Sequence, residues 1–183
     1  MKSRRHKVRK AHHHPDNAIF IRAAAIPAHM SETKTGVPAS ITIAQAVLES
    51  GWGRHHIGSA NNYFGVKAHE HKGKIVIGSV ATGYVDRRTR EHIKGGDIFI
   101  TDHFRQYANK TDSFIDHGLW IKSNQRYSKA LKEYANSGDA DAFARALQKH
   151  HYATDPHYAE LLISIMKRHN LYKYNAKKLS NFE

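Results

Sequence analysis

Apolar residues recur three and four positions apart near the start of the chain. Ile19, Phe20, Ala23, Ala24 and Ile26 mark one face of a helix beginning at Asn17. Pro27 predicts a kink in it, and Thr35-Gly36-Val37-Pro38 a break. A second helix is predicted from about Pro38, with Ile41, Ala44, Val47 and Leu48 inward and Gly51 and Gly53 as its stop. Residues 54–73 are rich in Gly, Asn and His and read as loop. From Lys74 to Tyr107 the period shifts towards two. Ile75 and Ile77, then Ile98 and Ile100, flank turns that include Lys94-Gly95-Gly96-Asp97, which predicts a small antiparallel lobe. Helices return after Asn109. One is expected from Ser113, as N-cap, to about Lys122; one over Ser128–Ala135; one after Asp139 carrying Phe143, Ala146 and Leu147. A last one opens at Asp155-Pro156 and carries Tyr158, Leu161, Leu162, Ile165 and Met166. The fold class is α+β, mainly helical with one small β-lobe.

The apolar fraction of 40% over 183 residues suits one domain with a real core. The pattern sorts into a disordered basic arm (1–16), one folded unit (17–170) and a polar tail (171–183). No apolar run reaches the roughly 18 residues a membrane helix needs, so no membrane insertion is expected. The basic N-terminus leads into His12-His13-His14-Pro15 rather than an apolar secretory segment. A protein working outside the cytoplasm would then need delivery by a phage or a secretion machine. The absence of cysteine excludes disulfides, thiolate catalysis and cysteine-based zinc sites. The net charge is +13. Residues 2–10 supply six Lys and Arg, and the remainder still holds 23 basic against 16 acidic residues. Such a field favours polyanions, whether nucleic acid, anionic lipid or an anionic cell-wall polymer, and the arm reads either as a solubilising tail or as a polyanion-binding segment. No helix-turn-helix or zinc-finger pattern supports specific nucleic-acid binding. The sixteen histidines form no His-Glu-x-x-His array, so neither metal nor cofactor is expected. A monomer is expected.

The most informative stretch is Gln45-Ala46-Val47-Leu48-Glu49-Ser50-Gly51-Trp52-Gly53. It sets a glutamate in the last turn of an apolar helix, where the helix dipole disfavours a carboxylate. Burial would act the same way. Both pressures favour the protonated form that a general acid needs. Trp52 offers an aromatic face for a sugar. Glycosidic cleavage generally employs two carboxyl groups. Across a cleft, the β-lobe offers Asp86, Glu91, Asp97 and Asp102, of which Glu91, entering the hairpin, is best placed.

Four motifs then occur in order: the Gln45–Gly53 stretch, Asn62-Tyr63-Phe64-Gly65-Val66-Lys67-Ala68, Phe104-Arg105-Gln106-Tyr107 and Tyr152-Ala153-Thr154-Asp155-Pro156-His157-Tyr158. Together they resemble the glucosaminidase family of peptidoglycan hydrolases, glycoside hydrolase family 73, over about residues 17–170. The resemblance implies a lysozyme-like fold with a groove between a helical lobe and a β-lobe. It implies hydrolysis of the β-1,4 bond between N-acetylglucosamine and N-acetylmuramic acid in glycan strands. Glu49 falls on the family's general acid. Thr89-Arg90-Glu91 fits its Thr-x-Glu pattern, whereas Thr82-Gly83-Tyr84 offers no acid. Tyr152 falls on the tyrosine lining the catalytic centre, with Tyr158 its neighbour. Trp52, Asn62, Phe64 and Tyr158 are the candidate substrate contacts; for Phe64 a loop-shaping role competes, and Trp120 reads as core. Two mechanisms stay open: Glu91 activating water, or the substrate's 2-acetamido group acting as nucleophile. The alternative function is a non-catalytic wall-binding or virion structural domain with a degenerate groove.

Overall fold

A computed structural model describes residues 15–55, 57–93 and 96–176. The basic arm through residue 14, the tail from 177, and Lys94 and Gly95 of the expected turn lie outside the described residues. The elements run α1 (Pro15–Thr35), α2 (Ala39–Ser50), β1 (His69–His71), β2 (Lys74–Val76), β3 (Gly83–Ile93), β4 (Gly96–Gln106), α3 (Lys110–Ser123), α4 (Ser128–Ser137), α5 (Ala140–Lys149) and α6 (Tyr158–Arg168).

The first helix continues through Pro27 to Thr35. Its inner face differs from the expected stripe. Phe20, Ile21, Ala24, Ala28, Ser31, Glu32 and Thr35 are buried, whereas Ile19 and Ile26 are 57% and 71% exposed. The reason lies in the partner helix. Gly118 of α3 lets the two backbones cross closely: a Cβ there would sit 2.5 Å from Ser31 Oγ and 2.9 Å from Thr35 Oγ1. Ser31 Oγ also donates to Phe114 O at 2.9 Å. Small polar residues form this contact, so the larger apolar side chains rotate outward.

The second helix is the axis of the helical body. All residues from Ala39 to Val47 are buried, including Ile43 and Ala46 beyond the expected inner face. A helix buried all round must satisfy its ends from within. Glu32 does this at the N-terminus. Its carboxylate accepts from Ala39 N (3.0 Å), Ala176 N (2.9 Å) and Tyr134 Oη (2.8 Å), an anion at a helix start. Leu171–Tyr174 form a 3-10 turn whose Leu171 is fully buried. The folded body therefore includes Leu171–Tyr174, past Asn170.

The β-region is two separate ribbons. β1 pairs with β2 (His69↔Val76), and β3 pairs with β4 from Gly83↔Gln106 to Ile93↔Gly96. Asp97 stands in a strand rather than a turn. The long ribbon is anchored near its base, where Arg105 N donates to Val66 O, Ala68 N to His103 O and Tyr107 N to Ala60 O. Farther out, Ile98 and Phe99 are exposed.

Two expected caps move. Asn109, not Ser113, caps α3 by accepting from Asp112 N at 3.0 Å; Ser113 is buried and accepts from Tyr63 N. Asp155 closes a turn ahead of α6, accepting His157 N at 2.8 Å. The helix starts at Tyr158 without a side-chain cap. In both places a polar residue that suits a cap is drawn into a nearer loop contact. Asp139 does cap α5, accepting from Ala142 N at 2.9 Å.

Because Tyr134 donates to a buried carboxylate, Tyr134→Phe should lower stability by about 1.5–3 kcal/mol. Urea unfolding monitored by circular dichroism checks this.

Candidate active site

The end of α2 is shaped by three consecutive left-handed residues, Gly51 (φ 56), Trp52 (φ 65) and Gly53 (φ 77). The Gly51 N–H closes on Val47 O. Ser50 Oγ accepts from Gly53 N at 2.8 Å and donates to Ala46 O at 2.6 Å. A Cβ on Gly53 would lie 2.9 Å from the Phe20 ring, so glycine is needed for space as well as for φ. This turn ends the helix one residue after Glu49. It also holds Trp52 half-buried, edge-on to Phe20 (6.2 Å between centroids) and to His169 (5.0 Å). A left-handed non-glycine residue is costly, and here the turn and both ring contacts hold it.

Beside Glu49 stands a wall of stacked rings. Tyr152 and Tyr158 lie parallel, 5.5 Å apart and 18° from coplanar. His117 stacks on Phe64 at 4.0 Å and 11°, and its Nε2 lies 2.8 Å from Tyr152 Oη. Gln45, one turn before Glu49, donates to Tyr158 Oη at 2.9 Å. Tyr152 and Tyr158 are held in the neutral phenol form, chiefly by burial. The Glu49 charge adds to this in both.

Burial drives the His117 pKa down to about 3, so its ring is neutral. Its Nδ1 is buried with no partner. An orphaned N–H is rarer in proteins than an under-used acceptor. The favoured tautomer therefore carries its proton on Nε2 and donates to Tyr152. The phenol keeps its own proton for another acceptor.

The other candidates fall into place around this wall. Asn62 is 1% exposed. Its Nδ2 donates to Val66 O and Arg105 O, and its Oδ1 accepts from Val66 N. It clamps the loop to β4. Phe64 and Tyr158 are likewise buried and shape the wall from behind. Glu91 pairs with Ile98 in backbone register, six residues beyond the anchored Val85↔Phe104 row, or about 20 Å along the ribbon at the usual strand rise. Asp86 is bound to His103 Nδ1 at 2.6 Å. Asp102 is held by Lys67 (2.5 Å) and by Thr89 Oγ1 (2.6 Å).

An open cleft of about 580 Å³ lies between α3 and the base of the ribbon, with Arg105, Asp116 and Trp120 in its walls. Trp120, expected in the core, is half-buried there and edge-on to Tyr152 at 5.8 Å. Arg105 Nη1 and Tyr107 Oη both donate to Asp116, at 2.8 and 2.7 Å. His117, Gln45 and this Arg105–Asp116 pair had no assigned role in the sequence. For Gln45 a signal existed, since position i−4 of Glu49 shares its helix face. For His117 there was none, because Tyr152 is 35 residues away.

The family model described as mannosyl-glycoprotein endo-beta-N-acetylglucosaminidase matches residues 26–171. The chain belongs to the glucosaminidase family. Among relatives of this glucosaminidase-family chain, the exo-glucosaminidase LytG of Bacillus subtilis is 35% identical over 162 residues, covering 87% of this chain and 54% of the relative. The peptidoglycan hydrolase FlgJ of Vibrio parahaemolyticus is 32% identical over 153 residues, covering 81% and 46%. The chain thus spans about half the length of both. The crystal structure of the catalytic domain of the autolysin Auto from Listeria monocytogenes superposes with a TM-score of 0.72 at 29% identity, covering 90% of each chain. The fold is accordingly α+β and lysozyme-like. No helix among the described residues is long and apolar enough to cross a membrane.

The lowered His117 pKa has a sign that can be tested. The unfolded chain gains a proton near pH 6.5 that the folded chain refuses until about pH 3. This group therefore removes stability as pH falls through that window, by up to about 1.4 kcal/mol per pH unit. Between pH 7 and 5 the protein should lose about 2 kcal/mol more than His117→Phe does, measured by denaturant unfolding at both pH values.

Proposed function

We propose that this domain hydrolyses the β-1,4 bond between N-acetylglucosamine and N-acetylmuramic acid in peptidoglycan, with Glu49 as general acid. The observation carrying this is the position of Glu49. It sits half-buried at the negative end of a helix whose preceding residues Ala39–Val47 are all buried, just ahead of the glycine turn and within electrostatic reach of two neutral phenols. A carboxyl group there is disfavoured as an anion by the helix end and is well suited to give up a proton to a leaving oxygen. The family membership and the names of the relatives, a peptidoglycan hydrolase and an exo-glucosaminidase, support the substrate. The site of action is then the bacterial cell wall.

In this mechanism Glu49 protonates the glycosidic oxygen as the C1–O bond breaks. The acetamido oxygen of the same N-acetylglucosamine unit attacks C1 and forms a cyclic oxazolinium. Water then opens that ring, giving its proton to the Glu49 carboxylate. Tyr152, its hydroxyl fixed by His117, lines the reacting centre, and Trp52 flanks it. The long reach of Glu91 from the anchored base of its ribbon favours a supporting role over direct activation of water.

Glu49→Gln should reduce release of reducing ends from purified sacculi by about two to four orders of magnitude, with an unchanged circular dichroism spectrum. Full activity in that variant would remove Glu49 from the mechanism. Mass spectrometry of the products should show reducing N-acetylglucosamine ends; reducing muramic acid ends would assign the other bond. NMR of the fresh product should show retained β-configuration. An inverted product would make Glu91 the base for water.

A further inference from the structure

The cleft between α3 and the ribbon base carries more positive charge than its own fold uses. Asp116, the one carboxylate lining it among the described residues, is already taken by Arg105 and Tyr107. Arg105 keeps its Nε buried without an acceptor. At the rim Lys122 is exposed and donates to Lys34 O at 3.0 Å. It makes no ion pair among the described residues, so its charge and remaining N–H groups are available to a ligand.

The opposite wall is held close by Gly78, with Ser79 beside it. A Cβ on Gly78 would sit 2.7 Å from Arg105 Nη1, and its φ is +79°, so this loop lies directly on the guanidinium. Trp120 supplies an apolar wall, and its contact with Tyr152 leaves one aromatic ring between this cleft and the Tyr158–Glu49 centre. Two cations, one neutralised, beside an indole and a serine hydroxyl form a surface for an extended anionic chain rather than for a neutral sugar alone.

We propose that this cleft is a subsite for the acidic peptide that branches from the glycan strand, with a peptide carboxylate at Lys122 and the adjoining residues along Trp120. The proposal rests on the peptidoglycan reading above and adds a preference for strands that still carry their peptides. The peptide branches from the strand while Glu49 acts on the strand itself, so one substrate can occupy both places.

The test uses peptide-bearing glycan strands and the same strands stripped by an amidase, with binding measured in the Glu49→Gln protein so that the strands stay intact. Peptide-bearing strands should bind about tenfold more tightly than stripped ones, as expected for one charge-assisted contact. Adding Lys122→Gln should shrink that ratio to about threefold or less, and Lys122→Arg should restore it. The ratio should also fall as salt is raised. Equal affinity for both strands, or the same ratio with Lys122→Gln, overturns the subsite. Failure of the wild-type protein to cut either strand, with the Lys122-dependent ratio intact, instead overturns the hydrolase reading and leaves the subsite standing.

Discussion

The stacked wall of Phe64, His117, Tyr152 and Tyr158 is the contact on which the rest of the molecule depends. It joins the loop after α2, the middle of α3, the segment after α5 and the first residue of α6. Gln45 ties it to α2, so Glu49, one turn along that helix, inherits a fixed position. Each member is buried, and the polar atoms facing one another are paired. An aromatic stack of this kind combines area burial with directional preference, and the embedded hydrogen bonds add specificity because leaving one unmade is expensive.

That wall is neutral. A charged imidazolium in place of His117 would stabilise the anionic form of a nearby carboxylate. Burial prevents this by making protonation of the ring unfavourable. At the ribbon base Arg105 is paired with Asp116, and Lys122 is exposed at the rim of the cleft.

The β-ribbon contributes in a different way. Its base is fixed by Asn62, by the backbone bonds to Val66, Ala68 and Ala60, and by the buried Arg105–Asp116 pair. Its outer half carries exposed Ile98 and Phe99 and is supported by its own strand pairing. A two-stranded ribbon on its own is marginally stable. The anchored base gives one wall beside α3, and the strand pairing continues beyond it to the row that carries Glu91.

Local signals in the sequence determined the helical body, the glycine stop after Glu49, the Asp139 cap and the shift to period two. These depend on neighbours within a few residues, where spacing and turn chemistry act directly. The four ordered motifs determined the family. Tertiary structure alone decided which face of α1 turns inward, because that depends on how closely Gly118 lets another helix approach. It alone moved the cap of α3 from Ser113 to Asn109, since the loop at Tyr63 claims the serine. It also decided that Asn62 is a clamp, that Trp120 lines a cleft and that His117 sets the Tyr152 hydroxyl. A side chain's type states which bonds it can make, but which partner lies within 3 Å is fixed only when distant segments pack together.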